Sequence, residues 1–416
     1  MSLLRFRAGA NLTLLALALC VTACGDEADA SGHSHDGSHS HGDGGHSHDT
    51  VDAGPRDNTN PPPDGSVIGA FQWELPETFP RPPVPLDNPM SIEKVALGRH
   101  LFYDKRLSGN ETQSCATCHK QERAFADERT VGLGSTGELH TRSSMSLANV
   151  GYSPTLTWAN PIMLQLERQV QVPLFGDRPI ELGMHSIAQV EERLRAVPRY
   201  RELFAAAYPG EPEPITMVNA QRAIATFERT LVSGDSAFDR YLAGDASALS
   251  ESALRGMRFV TSNEDHRFEC NHCHGGFTFS DHTVYEGSLE VASNPPFHQT
   301  GLYDLDGSGL YPAPNTGIHD VTQRPEDMGK FKAPTLRNVA ITAPYMHDGS
   351  IATLSEVLDH YAKGGRARNA ARTDQFVQPF EINAQEKADI IAFLEALTDQ
   401  TFVTNPKYSD PWPAPQ

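Results

Sequence analysis

Cys115-Ala116-Thr117-Cys118-His119 and Cys270-Asn271-His272-Cys273-His274 each set two thiols three residues apart with an imidazole directly after the second. That spacing supplies two sulfurs for covalent thioethers to a porphyrin and one nitrogen for its iron, which is the chemistry of c-type haem attachment. One such match could equally be half of a zinc site. Two in one chain, with the other cysteines explained elsewhere, mark a di-haem c-type cytochrome that binds its cofactors through Cys115, Cys118, His119, Cys270, Cys273 and His274.

Four of the six cysteines are used in this way, and Cys20 and Cys24 lie in the amino-terminal segment, so no pair remains for a structural disulfide. Arg5 and Arg7 precede an apolar run over residues 12–21, a secretory signal too short for a membrane span. The run ends in Val21-Thr22-Ala23-Cys24, which resembles a bacterial lipobox. Cleavage after residue 23 would leave Cys24 as a lipidated first residue, tethering the protein in the cell envelope on its periplasmic side. Asp26, two places on, resembles an inner-membrane retention signal; an ordinary cleaved signal with an incidental cysteine is the alternative. Loss of residues 1–23 removes two arginines and no acid, taking the formal charge from -19 to -21. So acidic a surface argues against nucleic acid or anionic lipid as a partner.

Residues 31–49 carry His33, His35, His39, His41, His46 and His48 among Gly, Ser and Asp. Six imidazoles on a chain with almost no apolar side chains cannot fold, but they can bind copper, zinc or nickel. The alternative is a tether whose histidines merely tolerate metal. Pro61-Pro62-Pro63 and Pro82-Pro83-Val84-Pro85 stiffen this stalk, so residues 24–70 read as a disordered His-rich and Pro-rich tether.

The elements that must position the motifs are mainly helical. About 340 residues follow the tether, which allows two cytochrome c-like haem domains, 71–243 and 244–402, and a tail, 403–416. Ser186 with Gln189 predicts a capped helix burying Ile187, Val190 and Leu194. Thr216 predicts another, with Met217, Ala220, Ile224, Phe227 and Leu231 on one face and Gly234 as its stop. Thr353 with Glu356 opens a helix bearing Leu354, Leu358 and Tyr361, ended by Gly364-Gly365; Asn383 with Glu386 opens the last, buried through Ile390, Phe393, Leu394 and Leu397. The connections over 120–160 and 275–335 exceed ordinary loop length, as short loops wrapped on a covalent porphyrin would. Asp304-Leu305-Asp306-Gly307-Ser308-Gly309 lacks the full calcium-loop pattern and reads as a turn.

Across most of residues 88–400 the chain resembles the di-haem cytochrome c peroxidase and MauG superfamily. The resemblance rests on Leu97-Gly98-Arg99-His100-Leu101-Phe102-Tyr103-Asp104, Leu107-Ser108-Gly109-Asn110, Pro334-Thr335-Leu336-Arg337-Asn338-Val339 and Ala343-Pro344-Tyr345-Met346-His347-Asp348-Gly349, together with the two haem motifs. Within it the chain is most similar to the tyrosine-ligated MauG and MbnH-like oxidases. Many peroxidases of the family cap the first iron with a histidine sixteen residues beyond the proximal one; that position is Ser135 here, a poor ligand, with His140 the nearby imidazole that could replace it. The family's peroxide-cleaving glutamate corresponds to Glu181 in Pro179-Ile180-Glu181-Leu182-Gly183, where a carboxylate moves a proton between peroxide oxygens. The second haem's far ligand, a methionine in the peroxidases and a tyrosine in MauG-like members, corresponds to Tyr361; a phenolate favours higher iron oxidation states. A core tyrosine is the plain alternative, and Met346 and His347 are rival ligands nearby.

The resemblance also places the inter-haem tryptophan at Trp158, with Trp73 and Trp412 lying in Pro-rich flanks. It implies a calcium ion held at Ser143, Lys332 and Pro334, although serine offers a weaker oxygen than the family's asparagine. The implied activity is a hydrogen peroxide-driven, high-valent two-haem state that oxidises an amino-acid side chain, a tryptophan, of a secreted and copper-binding partner protein by long-range electron transfer. The alternative is a cytochrome c peroxidase that draws electrons from a small cytochrome or cupredoxin. An electron carrier with two six-coordinate irons, and a copper-binding surface protein acting through the stalk, are the readings from other classes.

Overall fold

The computed structural model describes residues 71–262, 267–288, 294–366 and 372–413. The signal, Cys24 and the six stalk histidines lie outside the described residues. All described residues belong to one compact unit, Pro61–Gln416.

Two glycines reveal how the main helices meet. Helix α1 (Ile92–Phe102) crosses α2 (Met217–Arg229), and a Cβ on Gly98 would fall 1.9 Å from the Ala223 carbonyl oxygen and 2.9 Å from Phe227 Cβ. Helix α3 (Glu251–Thr261) crosses α4 (Ala384–Ala396), and a Cβ on Gly256 would fall 1.9 Å from the Asp389 carbonyl oxygen and 2.9 Å from Phe393 Cβ. No side chain fits at either crossing, so glycine is required by close backbone approach and not by dihedral angle. A fully buried phenylalanine, Phe227 or Phe393, seals each contact; burying such a side chain stabilises by about 1.5–3 kcal/mol.

The duplication extends beyond the helices. Each pair brackets one haem motif, and each motif is followed by a phenylalanine in left-handed conformation, Phe125 (φ 59°) and Phe279 (φ 52°). Ser146-Leu147-Ala148-Asn149-Val150 and Thr335-Leu336-Arg337-Asn338-Val339 then repeat, with Asn149 (φ 61°) and Asn338 (φ 64°) both left-handed before a single 3-10 turn. The two asparagines meet at one seam. Asn149 Nδ2 donates to the Ser233 carbonyl (3.0 Å), Asn338 Nδ2 donates to Ser233 Oγ (2.9 Å), and Asp399 accepts from Ser233 Oγ (3.1 Å) and from the amides of Gly234 and Asp235. Beside it the buried Arg337 grips Asp239 with two bonds of 2.8 and 2.9 Å.

The remainder is mainly α, with only isolated β-bridges among the described residues. Thr353/Glu356 and Asn383/Glu386 both form reciprocal capping boxes. Ser186 caps its helix (Ile187–Ala196) by accepting from the Gln189 amide, but the Gln189 side chain turns back to the His185 amide, and Ile187 is 52% exposed instead of buried. Helix α2 ends at Arg229, so Leu231 is buried beyond it, and Gly234 serves close packing against Pro76, not termination. Asp304 and Asp306 accept from the amides of Gly309, Ser308 and Leu310, a turn whose carboxylates are already engaged. The segment expected as a tail is packed down: Tyr408 lies against Phe125 and Phe402, and Trp412 Nε1 donates to the His100 carbonyl (3.0 Å). No helix among the described residues is long and apolar enough to cross a membrane.

Candidate haem sites and the cavity between them

The first motif forms a one-turn helix, Cys115–Cys118, opened by Ser114, whose amide donates to Thr117 Oγ1 at 3.0 Å. This turn sets both cysteines and His119 on one side, where they are half-buried, and all four motif cysteines are unpaired. Burial pushes the Cys118 and Cys270 thiols up to about 11 and Cys115 higher still. Such thiols stay protonated and unreactive in the bare protein. His119 Nδ1 faces the Phe125 carbonyl at 2.8 Å, and His274 Nδ1 faces that of Phe279 at 3.2 Å. A carbonyl accepts only from N–H, so Nδ1 carries the proton and Nε2 keeps its lone pair for iron. Burial lowers both imidazoles below their ordinary range, which favours the neutral, ligating form. Both motifs therefore fit haem c.

On the first motif's side, a loop folds back on itself through a Leu133–Leu139 bridge and grips the segment carrying Glu181. The Ser135 amide donates to the Glu181 carbonyl (2.7 Å), Ser135 Oγ donates to the Leu182 carbonyl (3.1 Å), and the Gly109 amide donates to that same carbonyl (2.6 Å). A Cβ on Gly134 would lie 1.8 Å from the Ile180 carbonyl oxygen, so only glycine lets the two segments approach. Ser135 is thus occupied in fixing Glu181. The Glu181 carboxyl, 34% exposed, is raised to about 7 by burial, with no Lys or Arg among the described residues paired to it. Such a group exists in both protonation states near neutral pH and suits proton exchange. His140 Nδ1 stands 3.8 Å from Glu181 Oε1.

On the second motif's side, Tyr361 projects from the helix Leu354–Ala362. Burial raises its phenol, and Cys273 and Cys270 are close enough to add to the shift. The structure thereby brings Tyr361 and the second motif together. Among the described residues its hydroxyl makes no hydrogen bond. The rival His347 stacks its ring on Phe331 at 3.8 Å, burial lowers it to about 4, and its Nε2 is buried without a hydrogen-bond partner. Met346 packs in an apolar cluster with Trp158 and Tyr345.

Trp158 lines a cavity bounded by the chain just after both motifs, Ala126 and Asp127 on one side and Thr278 and Ser280 on the other. Its Nε1 donates to the Ser143 carbonyl (2.8 Å). Trp73 and Trp412 do not line this cavity. Ser143, Lys332 and Pro334 do, so the structure brings the expected calcium trio to one cavity. Ser143 Oγ donates to the Met346 carbonyl (3.2 Å), its carbonyl is taken by Trp158, and the Lys332 ammonium lines the same cavity, donating to Ser153 Oγ at 3.0 Å.

One constellation had no sequence signal. His298 donates to Asp281 and Asp374 at 2.6 Å each, and Cys273 Sγ lies within 4.8 Å of the ligand atoms of His298 and Asp281. Burial alone would lower this imidazole, but the hydrogen bonds to the two carboxylates, with Cys273 adding to them, raise it well above its ordinary range. The group is a fixed imidazolium beside the second motif and not a metal site, since Cys273 is a haem-attachment cysteine. Its partners are 17 and 76 residues away, beyond any local pattern.

A family model described as di-haem cytochrome c peroxidase matches residues 92–247. The cytochrome-c peroxidase IdrP1 of Pseudomonas sp. (strain SCT) is 37% identical over 78% of this chain and 86% of its own length. The methylamine utilization protein MauG of Methylorubrum extorquens is 36% identical over 78% of this chain and 83% of its own. Among solved structures, a MauG-like protein associated with microbial copper homeostasis is 50% identical with a TM-score of 0.79, covering 83% of this chain and all (100%) of that one. The diheme peroxidase BthA of Burkholderia thailandensis, at 20% identity and a TM-score of 0.60, shares the fold. With both motifs, their paired helices and these relatives in place, the chain belongs to the di-haem cytochrome c peroxidase and MauG family and is a peroxide-dependent di-haem oxidoreductase.

Proposed function

We propose that this enzyme uses hydrogen peroxide to oxidise an amino-acid side chain, a tryptophan, of a partner protein by long-range electron transfer. The observation that carries this reading is Tyr361, a phenol in place of a thioether beside Cys270 and Cys273. Haem, when bound, supplies the two-electron reduction of peroxide and holds the resulting oxidising equivalents. Cys115, Cys118 and His119 hold one haem; Cys270, Cys273, His274 and Tyr361 hold the other. Glu181 accepts a proton at its carboxylate from the near peroxide oxygen and returns it to the departing one, which leaves as water. Trp158, anchored through Nε1, gives electrons a route across the cavity between the motifs. A phenolate ligand favours oxidised iron and so suits storage of oxidising power over its rapid discharge to a small donor.

The partner is a secreted or periplasmic protein. The 50%-identical structure belongs to a protein associated with copper homeostasis, and this chain's six stalk histidines suit copper or zinc, so we read the partner as copper-binding. The lipid at Cys24 would hold the enzyme on the envelope, facing the periplasm. The second reading, peroxide reduction with electrons from a small cytochrome or cupredoxin, is favoured by the relatives that bear the name cytochrome-c peroxidase. The deciding experiment is the reaction of the diferric protein with peroxide, with no reductant present. Reaction supports the first reading, and a requirement for prior reduction supports the second.

A further inference from the structure

His140 has no role in the scheme above, yet it is the best-placed unused group near Glu181. Its loop is built to carry it: the His140 amide donates to the Gly132 carbonyl (2.8 Å), the Gly132 amide donates to Arg142 (3.3 Å), and the Gly134 amide donates to Glu138 (2.8 Å). A side chain at 132 would crowd the ring, since a Cβ there lies 3.3 Å from His140 Cγ. The same loop holds the Glu181 segment from the other side, because Glu138 Oε2 accepts the Ile180 amide (3.0 Å) and the Ser135 amide meets the Glu181 carbonyl. One rigid hairpin thus fixes both the backbone of Glu181 and the imidazole opposite its carboxyl.

Two features point to proton chemistry. The separation of 3.8 Å between His140 Nδ1 and Glu181 Oε1 exceeds a direct hydrogen bond but closes with a small rotation of either side chain or through one water. His140 Nε2 is buried without a hydrogen-bond partner, which leaves Nδ1 as the ring nitrogen aimed at the carboxyl. We propose that His140 is a positioning residue for peroxide cleavage, whose imidazole holds the Glu181 carboxyl in place and shares its proton, and that it does not ligate the first iron. This deepens the reading given to Glu181 and rests on it.

The proton count is closed. The near peroxide oxygen loses one proton to Glu181, the departing oxygen receives that proton and leaves as water, and His140 ends as it began. The two electrons that cleave the bond would be supplied by the haem that Cys115, Cys118 and His119 hold. Neutral His140 donates Nδ1–H to the Glu181 carboxylate and so favours the ionised acid. Glu138 is the other charge bearing on His140, and Cys115 and Cys118, thioethers in the holoprotein, are the titratable neighbours of Glu181.

The test uses full-length diferric holoenzyme with two haems per chain, comparing wild type, His140→Leu, His140→Gln and Glu181→Gln. The rate of reaction with peroxide is followed from pH 5 to 9, and the resting spin state is read by electron paramagnetic resonance. The proposal expects His140→Leu to shift the pH midpoint upward by about half a unit or more, with the rate at pH 6 falling severalfold. His140→Gln, which keeps a donor, restores most of the midpoint, and no variant changes spin state. Conversion of a low-spin to a high-spin signal on replacing His140 would make it an iron ligand and overturn the proposal. So would an unmoved midpoint in His140→Leu alongside a slow, pH-flat Glu181→Gln, which overturns His140 alone. If Glu181→Gln matches wild type, the role of Glu181 fails and His140's with it.

Discussion

Replacing Glu181 by glutamine should slow the reaction of the diferric enzyme with peroxide by roughly 100- to 1000-fold. General acid–base catalysis by one placed group contributes about 10²–10⁴-fold, and each tenfold is about 1.4 kcal/mol of barrier. The lower half of that range applies because 34% of the side chain is exposed, so water can move part of the proton traffic. The substitution leaves the scaffold alone, since the bonds holding this segment are made by the carbonyls of Glu181 and Leu182. The pH dependence follows from burial, which raises the acid to about 7. The ionised form is the one that accepts a proton, so activity rises with pH. A group titrating there is about one-tenth ionised at pH 6 and about nine-tenths at pH 8, giving about a tenfold rise in wild type. Glutamine cannot titrate, and its profile should be flat. Stopped-flow absorbance in the Soret band, at several peroxide concentrations and pH values, gives the second-order constants. A Glu181→Gln enzyme within about threefold of wild type, still rising with pH, would refute the reasoning.

Two further outcomes test other parts of the account. Gly256→Ala forces a Cβ to 1.9 Å from the Asp389 carbonyl oxygen, so it should destabilise by about 2–3 kcal/mol despite alanine's higher helix propensity; calorimetry should show a melting temperature lower by several degrees, and an unchanged or higher value would contradict the crossing geometry. Deleting residues 31–49 should abolish about two Cu(II) per chain in calorimetric titration, at two to four imidazoles per ion. The haem spectra and peroxide reaction should be unaffected, and undiminished copper binding would place the metal elsewhere.

What the sequence made legible was local. The haem motifs are five residues long, so their chemistry is written in the spacing of Cys115, Cys118 and His119 and of their counterparts. The boxes at Thr353 and Asn383 span one turn and form as read. Ser186 shows the limit, since its partner Gln189 had a competing amide at His185 and the reciprocal bond did not form. The internal repeat was written in the chain through Gly98 and Gly256, and through Asn149 and Asn338. Its meaning needed the helices to be crossed, because a glycine at a crossing looks like any glycine within a helix. Trp412 lay in a Pro-rich flank that read as a tail, yet its indole finds His100 and Tyr200. The imidazolium of His298 depends on Asp374, 76 residues away, and no periodicity reports a pair at that distance.

The central claim is that Tyr361 makes the second haem a store of oxidising power. It is tested most directly by electron paramagnetic resonance of the diferric enzyme before and after one equivalent of peroxide, in wild type and Tyr361→Met. The account predicts one high-spin and one low-spin ferric signal at rest, and loss of both on peroxide addition to give a long-lived state. In Tyr361→Met that state should not persist, and the second haem's potential should rise by on the order of 100 mV, a fraction of the about 0.8 V that axial ligands span. Two low-spin signals at rest, reactive with peroxide only after partial reduction, or a variant indistinguishable from wild type, would contradict it.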